Sequence, residues 1–412
     1  MPEVIEKTEY KKGYKKTRLG WIPEDWEIVK SGKLFHNYSK KNNKQEELLS
    51  VTQDKGVIPR SMVEARIAMP EGSTSSYKLV EKGDFVISLR SFQGGIEYSE
   101  YRGVVSPAYT ILKRNLAISD GYYKQWFKSS EFIARLGVAI IGIRDGKQIS
   151  YEDFSMLPIC YPPLKEQEKI AEILSAWDDG IETLEKLIEQ KEIFHKGFME
   201  NLLIGKIRIS GYNNKWTHSK FNSIFERITR KNEELNSNIL TISAQNGLIS
   251  QKDFYNKRIA SVDTSKYILL KNGEFAYNKS YSNGYPLGAI KRLDLYEKGV
   301  VSSLYICFKL NNSDNCSDFW KYYFEAGMLN REIKMIAQEG ARNHGLLNMA
   351  TEDFFNMLLF YPKDLKEQQK IAEILNKSDK EIQILNSRLE KLKEQKKGLM
   401  QKLLTGQIRV KI

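Results

Sequence analysis

Two stretches of 46 residues, one near the middle of the chain and one near its end, decide the fold. Residues 164–209 read LKEQEKIAEILSAWDDGIETLEKLIEQKEIFHKGFMENLLIGKIRI, and residues 365–410 read LKEQQKIAEILNKSDKEIQILNSRLEKLKEQKKGLMQKLLTGQIRV. They align without a gap at a constant offset of 201, and 22 of the 46 positions are identical. Such a repeat determines how the chain divides into structural units.

The similarity continues upstream of the two stretches. Trp26 corresponds to Trp216, and the Gly-Asp-Phe of residues 83–85 corresponds to the Gly-Glu-Phe of residues 273–275. Each copy begins with short β-branched and aromatic runs broken by glycine, asparagine and serine, which predict a mixed globule. The predicted fold class is therefore α/β (α+β), with two pseudo-repeated globular domains separated by two long antiparallel coiled-coil helices. The predicted segments are a basic N-terminal arm (1–20), a first globule (21–160), a central helix (161–209), a second globule (210–361) and a C-terminal helix (362–412).

The repeated stretches have the pattern of long amphipathic helices. Their apolar residues recur at spacings of three and four, and a helix of 40 residues is about 60 Å long. Residues 164–203 carry a net charge of −5, whereas residues 365–404 carry +4. Pairing the two helices with each other places opposite charges across the contact, so an intramolecular antiparallel coiled coil is favoured. The alternative is that each helix packs only on its own globule.

Composition limits the possible functions. The 412 residues carry a formal net charge of +12, and the helices contribute almost none of it, so the globules and tails are basic. This surplus favours a polyanionic partner, with nucleic acid as the leading candidate. No apolar run approaches the roughly 20 residues that span a bilayer, and the first residues are too charged for a secretory leader. We therefore expect a cytoplasmic protein.

No catalytic motif is recognisable. The three cysteines and four histidines lack the spacing of a metal site, and there is no phosphate-binding glycine loop, no HExxH and no GxSxG. Two Glu-x-Lys triplets, at residues 332–334 and 394–396, keep a metal-dependent nuclease open as an alternative. A stand-alone coiled-coil scaffold is the other alternative. We expect no catalytic residue, no metal and no cofactor in this chain.

Several motifs together resemble one known family. They are Ile-Pro-Glu-Asp-Trp at residues 22–26, Tyr-Pro before each helix, the Leu-Lys-Glu-Gln-x-Lys-Ile-Ala-Glu-Ile-Leu run in both copies, and Leu-Leu-x-Gly-x-Ile-Arg at both helix ends. In this combination the chain resembles the specificity subunit of type I restriction-modification systems. The second globule keeps Trp216 but has Asn-Asn-Lys at residues 213–215 in place of the Pro-Glu-Asp of the first.

The resemblance implies a reader of double-stranded DNA. Each globule would be a target recognition domain for one half of a split, asymmetric sequence, and the helices would set the unread spacer. It also implies two methyltransferase subunits that use S-adenosylmethionine, and restriction subunits that use ATP and Mg²⁺, so these cofactors would belong to the partners. The helices would carry the docking surface. Candidates for it, which are equally compatible with the core of the coil, are Trp177, Ile181, Phe194 and Phe198.

Loops that follow matched strands supply the candidate DNA contacts, because base reading needs polar side chains on loops that reach a groove. Glycine in these loops permits close approach to a backbone but is also compatible with a plain hairpin turn. The loop candidates are Arg90, Ser91 and Gln93 in the first globule and Lys279, Ser280, Tyr281 and Asn283 in the second.

A second pair of matched loops has one arginine in common. Arg144 and Arg342 occupy equivalent positions, which fits either a phosphate clamp or a structural ion pair. The neighbouring residues differ between the copies and are candidates for base contact: Lys147, Asn343 and His344. Electrostatic steering, or simply a solvated face, is predicted for Lys40, Lys41, Lys44, Arg230 and Lys231.

Overall fold

The chain forms two compact units. The computed structural model describes residues 12–63, 74–139, 149–243, 246–255, 263–281, 284–339 and 347–412. Unit 1 comprises residues 1–185 and 387–412, and unit 2 comprises residues 186–386. Each unit thus contains one globule together with part of each repeated helix.

Unit 1 is built from short elements that end in a long helix. Its strands are β1 (Tyr14–Thr17), β2 (Gly20–Pro23), β3 (Glu27–Lys30), β4 (Phe35–Tyr38), β5 (Leu49–Thr52), β6 (Gly56–Pro59), β7 (Lys78–Val80), β8 (Phe85–Ile87), β9 (Glu97–Tyr98), β10 (Gly103–Val105), β11 (Thr110–Arg114) and β12 (Pro158–Tyr161). Its helices are α1 (Ser31–Leu34), α2 (Ser91–Gly94), α3 (Asp120–Trp126), α4 (Ser130–Ala139), α5 (Tyr151–Met156) and the first part of α6 (Leu164–Leu203).

Unit 2 repeats this arrangement. Its strands are β13 (Thr217–Lys220), β14 (Phe225–Arg227), β15 (Leu240–Ser243), β16 (Gly247–Ser250), β17 (Ile268–Lys271), β18 (Phe275–Asn278), β19 (Ala289–Arg292), β20 (Lys298–Val301), β21 (Ile306–Leu310), β22 (Gln338–Glu339), β23 (Leu347–Asn348) and β24 (Leu358–Tyr361). Its helices are α7 (Gln251–Tyr255), α8 (Ser317–Glu325), α9 (Asn330–Ile336), α10 (Thr351–Asn356) and the first part of α11 (Leu365–Leu404). The second part of α6 also belongs to unit 2, and the second part of α11 belongs to unit 1.

The same antiparallel sheet lies at the centre of each globule. Its strand order is β4-β11-β8-β9 in unit 1 and β14-β21-β18-β19 in unit 2. The registers also correspond, since Val86 pairs with Glu97 and Ala276 pairs with Lys291. The repeat recognised in the sequence is therefore a repeat of topology.

Aromatic side chains fill the core beneath each sheet. In unit 1 the rings of Phe35 and Phe85 meet edge to face at 5.5 Å between centroids. In unit 2 the rings of Phe275 and Phe308 stack at the same distance. Such ring pairs stabilise a core beyond the burial of their area. The helices extend these cores, because Ile170 packs into that of unit 1 and Ile371 into that of unit 2.

The long helices pair antiparallel within each unit. In unit 1 the Lys396 ammonium lies 2.5 Å from the Asp178 carboxylate, and Lys393 lies 2.7 Å from Glu185. In unit 2 the Lys191 ammonium lies 2.6 Å from Glu381. The predicted antiparallel pairing and its opposite charges are thus observed. The alternative, in which each helix packs only on its own globule, is correct only in part, because the helices pack on the globules and also on each other.

The predicted N-terminal arm is partly folded. From residue 12 onward the structure forms a hairpin in which β1 pairs with β2, and the Tyr14 hydroxyl donates a hydrogen bond to the Gly406 carbonyl at 3.0 Å. The described part of the segment is therefore attached to unit 1 by a hydrogen bond and is ordered by a strand pair. The sequence pattern alone did not indicate this strand pair. The five predicted segment boundaries stay predictions. Among the described residues, no helix is both long and apolar enough to cross a membrane.

Candidate nucleic-acid interface

The loop between β8 and β9 presents polar side chains to solvent in unit 1. Arg90 and Gln93 are exposed, and their role as DNA contacts stays a prediction. Ser91 is buried, and its hydroxyl accepts a hydrogen bond from the Ser88 amide at 2.8 Å. Its prediction as a DNA contact was wrong, because the serine stabilises the turn that carries its neighbours.

A second turn lies beside this loop. The Gln53 side chain, between β5 and β6, donates a hydrogen bond to the Arg90 carbonyl at 3.3 Å. Sequence reasoning missed Gln53, although Gly56, the glycine of that turn, recurs in the other copy as Gly247. Gly95 closes the loop with φ of 83°, and a Cβ there would lie 2.0 Å from the Phe127 carbonyl oxygen. Only glycine fits this approach.

The matching loop of unit 2 follows β18 and differs in character. Tyr281 is 63% exposed, whereas Lys279 and Ser280 are half-buried. The Lys279 carbonyl accepts a hydrogen bond from the Leu347 amide at 3.1 Å, which ties the loop to β23. An exposed aromatic ring therefore takes the place that exposed polar side chains have in unit 1.

The candidate steering residues separate into two groups. Lys40, Lys41 and Lys44 of unit 1 and Lys231 of unit 2 are exposed. Arg230 is half-buried, and its guanidinium donates to the Glu274 carboxylate at 2.6 Å and to the Leu269 carbonyl at 3.0 Å. The steering prediction for Arg230 was wrong, because this arginine forms a structural ion pair.

Several predicted contacts lie outside the described residues and remain predictions. They are Arg144, Lys147, Asn283, Arg342, Asn343 and His344.

Each unit has a buried glutamate at the start of its long helix, where chain segments distant in sequence meet. In unit 1 the Trp26 indole donates to Glu166 at 2.8 Å, and the Arg409 Nε donates to the same carboxylate at 2.7 Å. The Glu166 side chain is fully buried. Hydrogen bonding to Glu166 raises the pKa of Arg409 above its ordinary value. We call these three residues the clasp of unit 1.

Unit 2 has the equivalent clasp. The Arg208 Nε donates to Glu367 at 3.0 Å, and the Trp216 indole donates to the same carboxylate at 3.1 Å. The tryptophan of the opening motif and the arginine of the Ile-Arg ending therefore bind one glutamate of the Leu-Lys-Glu-Gln run in both copies. Sequence reasoning identified these motifs but not their contact, because their residues are far apart in the chain.

The four docking candidates differ in exposure. Phe194 is 68% exposed, and its ring stacks on that of Phe198 at 5.6 Å. Phe198 also packs against the core of unit 2, and Trp177 and Ile181 are half-buried on α6. Sequence reasoning missed Ile193, which is 67% exposed and precedes Phe194. An apolar helix face that remains in solvent is typical of a surface that another protein covers.

The described residues hold no group of three or more acidic, histidine or cysteine side chains suited to a metal ion. The Glu-x-Lys triplet at residues 394–396 has a structural role, because Lys396 pairs with Asp178 across the helices of unit 1. The triplet therefore contributes to helix pairing.

Comparison with known proteins supports the family resemblance. Residues 23–193 match the model of the type I restriction modification DNA specificity domain. The putative type I restriction enzyme MjaX specificity subunit of Methanocaldococcus jannaschii is 30% identical over 212 residues, 48% of this chain and 47% of that protein. The type I restriction enzyme MjaVIII specificity subunit of the same organism is 24% identical over 417 residues, 95% of this chain and 94% of that protein. The chain thus aligns with about half the length of the first relative.

Solved structures share the fold. The HsdS subunit from Thermoanaerobacter tengcongensis has a TM-score of 0.50 at 14% identity, covering 94% of this chain and 98% of that one. A chain from a structure describing complex assembly of a type I restriction-modification system has a TM-score of 0.56 at 14% identity, covering 94% and 99%. These likenesses confirm the predicted fold class, and the matching family model and the sequence relatives support the family resemblance.

Proposed function

We propose that the chain is a specificity subunit of a type I restriction-modification system and that it reads a bipartite, asymmetric DNA sequence. One observation carries the proposal. The two units share sheet order, register and clasp, yet the loops after their central strands differ, with Arg90 and Gln93 in one and Tyr281 in the other. A common framework with different loops is what reading two unlike half-sequences requires.

The exposed loop residues suit direct contact with DNA. Arginine and glutamine form paired hydrogen bonds with the major-groove edges of guanine and adenine, respectively. Lys40, Lys41 and Lys44 of unit 1 and Lys231 of unit 2 would neutralise phosphates without sequence preference. Arg144 and Arg342 would act as phosphate clamps common to both halves. Base readers thus differ between the units, while the electrostatic residues serve both.

Chemistry would come from partner subunits. In this proposal the chain is not catalytic and recruits two methyltransferase subunits and the restriction subunits, which bring S-adenosylmethionine, ATP and Mg²⁺. The exposed apolar face of Ile193, Phe194 and Phe198 would dock a methyltransferase subunit, because burying an exposed aromatic ring is a strong source of binding energy. A stand-alone scaffold or a nuclease remains the alternative.

Methylation mapping tests the proposal. The chain is expressed with the methyltransferase subunits of its own system, and the methylated adenines of the host DNA are then located. We expect one split, asymmetric sequence with a constant spacer, and no DNA methylation by the chain alone. Methylation by the isolated chain, or a pattern unaffected by deleting it, would contradict the proposal.

The long helices would set the spacer. Inserting four residues near Leu184 and four near Leu385 lengthens the paired helices by about 6 Å at 1.5 Å per residue, with only a local disturbance of the apolar seam. We expect the same two half-sequences with a spacer longer by one to two base pairs. An unchanged spacer would show that the helices do not act as a ruler.

A further inference from the structure

Two ion pairs occupy the same place in the two units but have opposite polarity. In unit 1 the carboxylate of Glu97 on β9 lies 2.5 Å from the ammonium of Lys128, which follows α3. In unit 2 the ammonium of Lys291 on β19 lies 2.5 Å from the carboxylate of Glu325, the last residue of α8. The residue that the edge strand contributes is therefore acidic in unit 1 and basic in unit 2.

The strand positions are equivalent by register. Glu97 pairs with Val86, the residue after Phe85, and Lys291 pairs with Ala276, the residue after the matched Phe275. Because both central strands occupy the same place in their sheets, the two edge-strand residues point to the same place in each fold.

The helix positions are equivalent by an independent contact. Gln125 donates to Asp178 of α6 at 2.6 Å, and Tyr322 donates to the matched Asp379 of α11 at 2.6 Å. Lys128 lies three residues after Gln125, and Glu325 lies three residues after Tyr322. Both partners of the ion pair are therefore reversed between the units.

Burial favours an oppositely charged partner at each site. The Glu97 side chain is 2% exposed and the Lys291 side chain is 8% exposed, so the strand carries the buried charge in both units. A buried charge requires a paired and hydrogen-bonded partner. Two different amino acids meet this requirement at one site because their partners changed with them.

In unit 1 the pair holds the candidate reading loop. The Lys128 ammonium donates to the Gly94 carbonyl at 3.0 Å and to the Gln53 carbonyl at 3.1 Å, in addition to Glu97. These three acceptors match the three N–H groups of a lysine. Lys128 thereby fixes the end of the loop that carries Arg90 together with the adjacent turn.

In unit 2 the pair holds the equivalent loop through a side chain. The Lys291 ammonium donates to the Tyr285 hydroxyl at 3.1 Å, and this hydroxyl donates to the Glu325 carboxylate. Tyr285 lies between β18 and β19, as the reading loop of unit 1 lies between β8 and β9. The ion pair contacts the same loop in both units, although the contacting atoms differ.

We propose that Lys128 with Glu97, and Lys291 with Glu325, are positioning residues that hold each reading loop in the conformation that recognises its half of the DNA target. The inference rests on the proposed function, since it assigns to these pairs the discrimination between half-sequences. Complementary charge is what the site needs, and either polarity supplies it.

Matched substitutions in the two units test this assignment. The chain, assembled with its methyltransferase subunits, carries Lys128→Met or Lys291→Met and is presented with duplexes in which each half-sequence is randomised in turn. We expect Lys128→Met to lower discrimination at the first half-sequence about tenfold, the range of one good base contact, and to leave the second unchanged. Lys291→Met should do the reverse, and Lys128→Arg should retain discrimination.

A neutral variant keeps the test informative if a single substitution unfolds unit 1. The double variant Glu97→Gln, Lys128→Met leaves no unpaired charge but still removes the donor to Gly94 and Gln53, so it should lose discrimination at the first half-sequence as well. Thermal unfolding is followed in parallel. Lower stability with both preferences intact, or equal loss at both halves, would overturn the inference. Absence of any half-sequence preference in the unsubstituted assembly would instead overturn the proposed function.

Discussion

Arg409 donates from Nε and Nη2 to the two carboxylate oxygens of Glu166, at 2.7 and 2.9 Å. The contact joins the segment after α11 to the first turn of α6. Two parallel hydrogen bonds between a guanidinium and a carboxylate fix orientation as well as distance. Because the Glu166 side chain is fully buried, this geometry holds the start of α6 and the segment after α11 against the globule of unit 1.

Removing the guanidinium should destabilise unit 1. Arg409→Ala leaves Glu166 with the Trp26 indole as its remaining side-chain donor among the described residues, so we expect a loss of about 2 kcal/mol in the free energy of unfolding. Urea unfolding measures this loss. Arg208→Ala should cost a similar amount in unit 2, whereas Arg388→Ala on the exposed face of α11 should change stability by less than about 0.5 kcal/mol. Equal effects of all three substitutions would contradict the role of the clasp.

Glu97 should make the stability of unit 1 depend on pH. Burial raises the pKa of Glu97 to about 7 from an ordinary value of 4.5. The folded state therefore binds the proton more tightly than the unfolded state, and this contribution to stability is lost as pH rises from about 4.5 to about 7. The free energy of unfolding of the unsubstituted chain, minus that of Glu97→Gln, should fall over this interval. A difference independent of pH, measured by urea unfolding at about pH 5 and about pH 8, would contradict the assignment.

The exposed ring of Phe194 should contribute to docking of a methyltransferase subunit. Phe194→Ser should weaken capture of this subunit at least tenfold, or about 1.4 kcal/mol, with little change in folding because the ring is in solvent. The repeat supplies a matched control, Gln395→Ser, at the corresponding exposed position of α11. Titration calorimetry with the purified methyltransferase subunit measures both variants. Equal affinities would place the docking surface elsewhere.

Lys40 and Lys41 should bind DNA phosphates. Replacing both with alanine should weaken binding to cognate and unrelated duplexes alike, and should reduce the log-log salt slope by about two, because each lysine would neutralise one phosphate. Lys402→Ala on the exposed face of α11 serves as the control, with an unchanged slope expected. A change confined to the cognate sequence would instead make these lysines base readers.

Periodic features could be predicted from the sequence, and single contacts could not. The helices α6 and α11 follow from the spacing of their apolar residues, and their antiparallel pairing follows from their opposite net charges. The loops after β8 and β18 could be located because they follow matched strands. These features depend on local pattern or on the repeat, which are visible along the chain.

The wrong predictions involve partners that only the folded chain brings close. Serine is a residue type that can contact bases, but the Ser91 hydroxyl accepts a hydrogen bond from the Ser88 amide. The sequence predicts Arg230 as a steering residue, because its ion-pair partner, Glu274, lies 44 residues away in the chain. The sequence did not indicate the reversed ion pairs, because the loops preceding Glu97 and Lys291 differ in length. An alignment of the two copies therefore does not place these two residues at the same position.

The central claim is that each unit reads its own half of one split sequence. Exchanging residues 21–160 for the corresponding globule of a known specificity subunit, followed by mapping of methylated adenines in cells that contain the methyltransferase subunits, tests it most directly. The account predicts that one half-sequence is replaced while the other half and the spacer stay the same. Loss or change of both half-sequences together would contradict it.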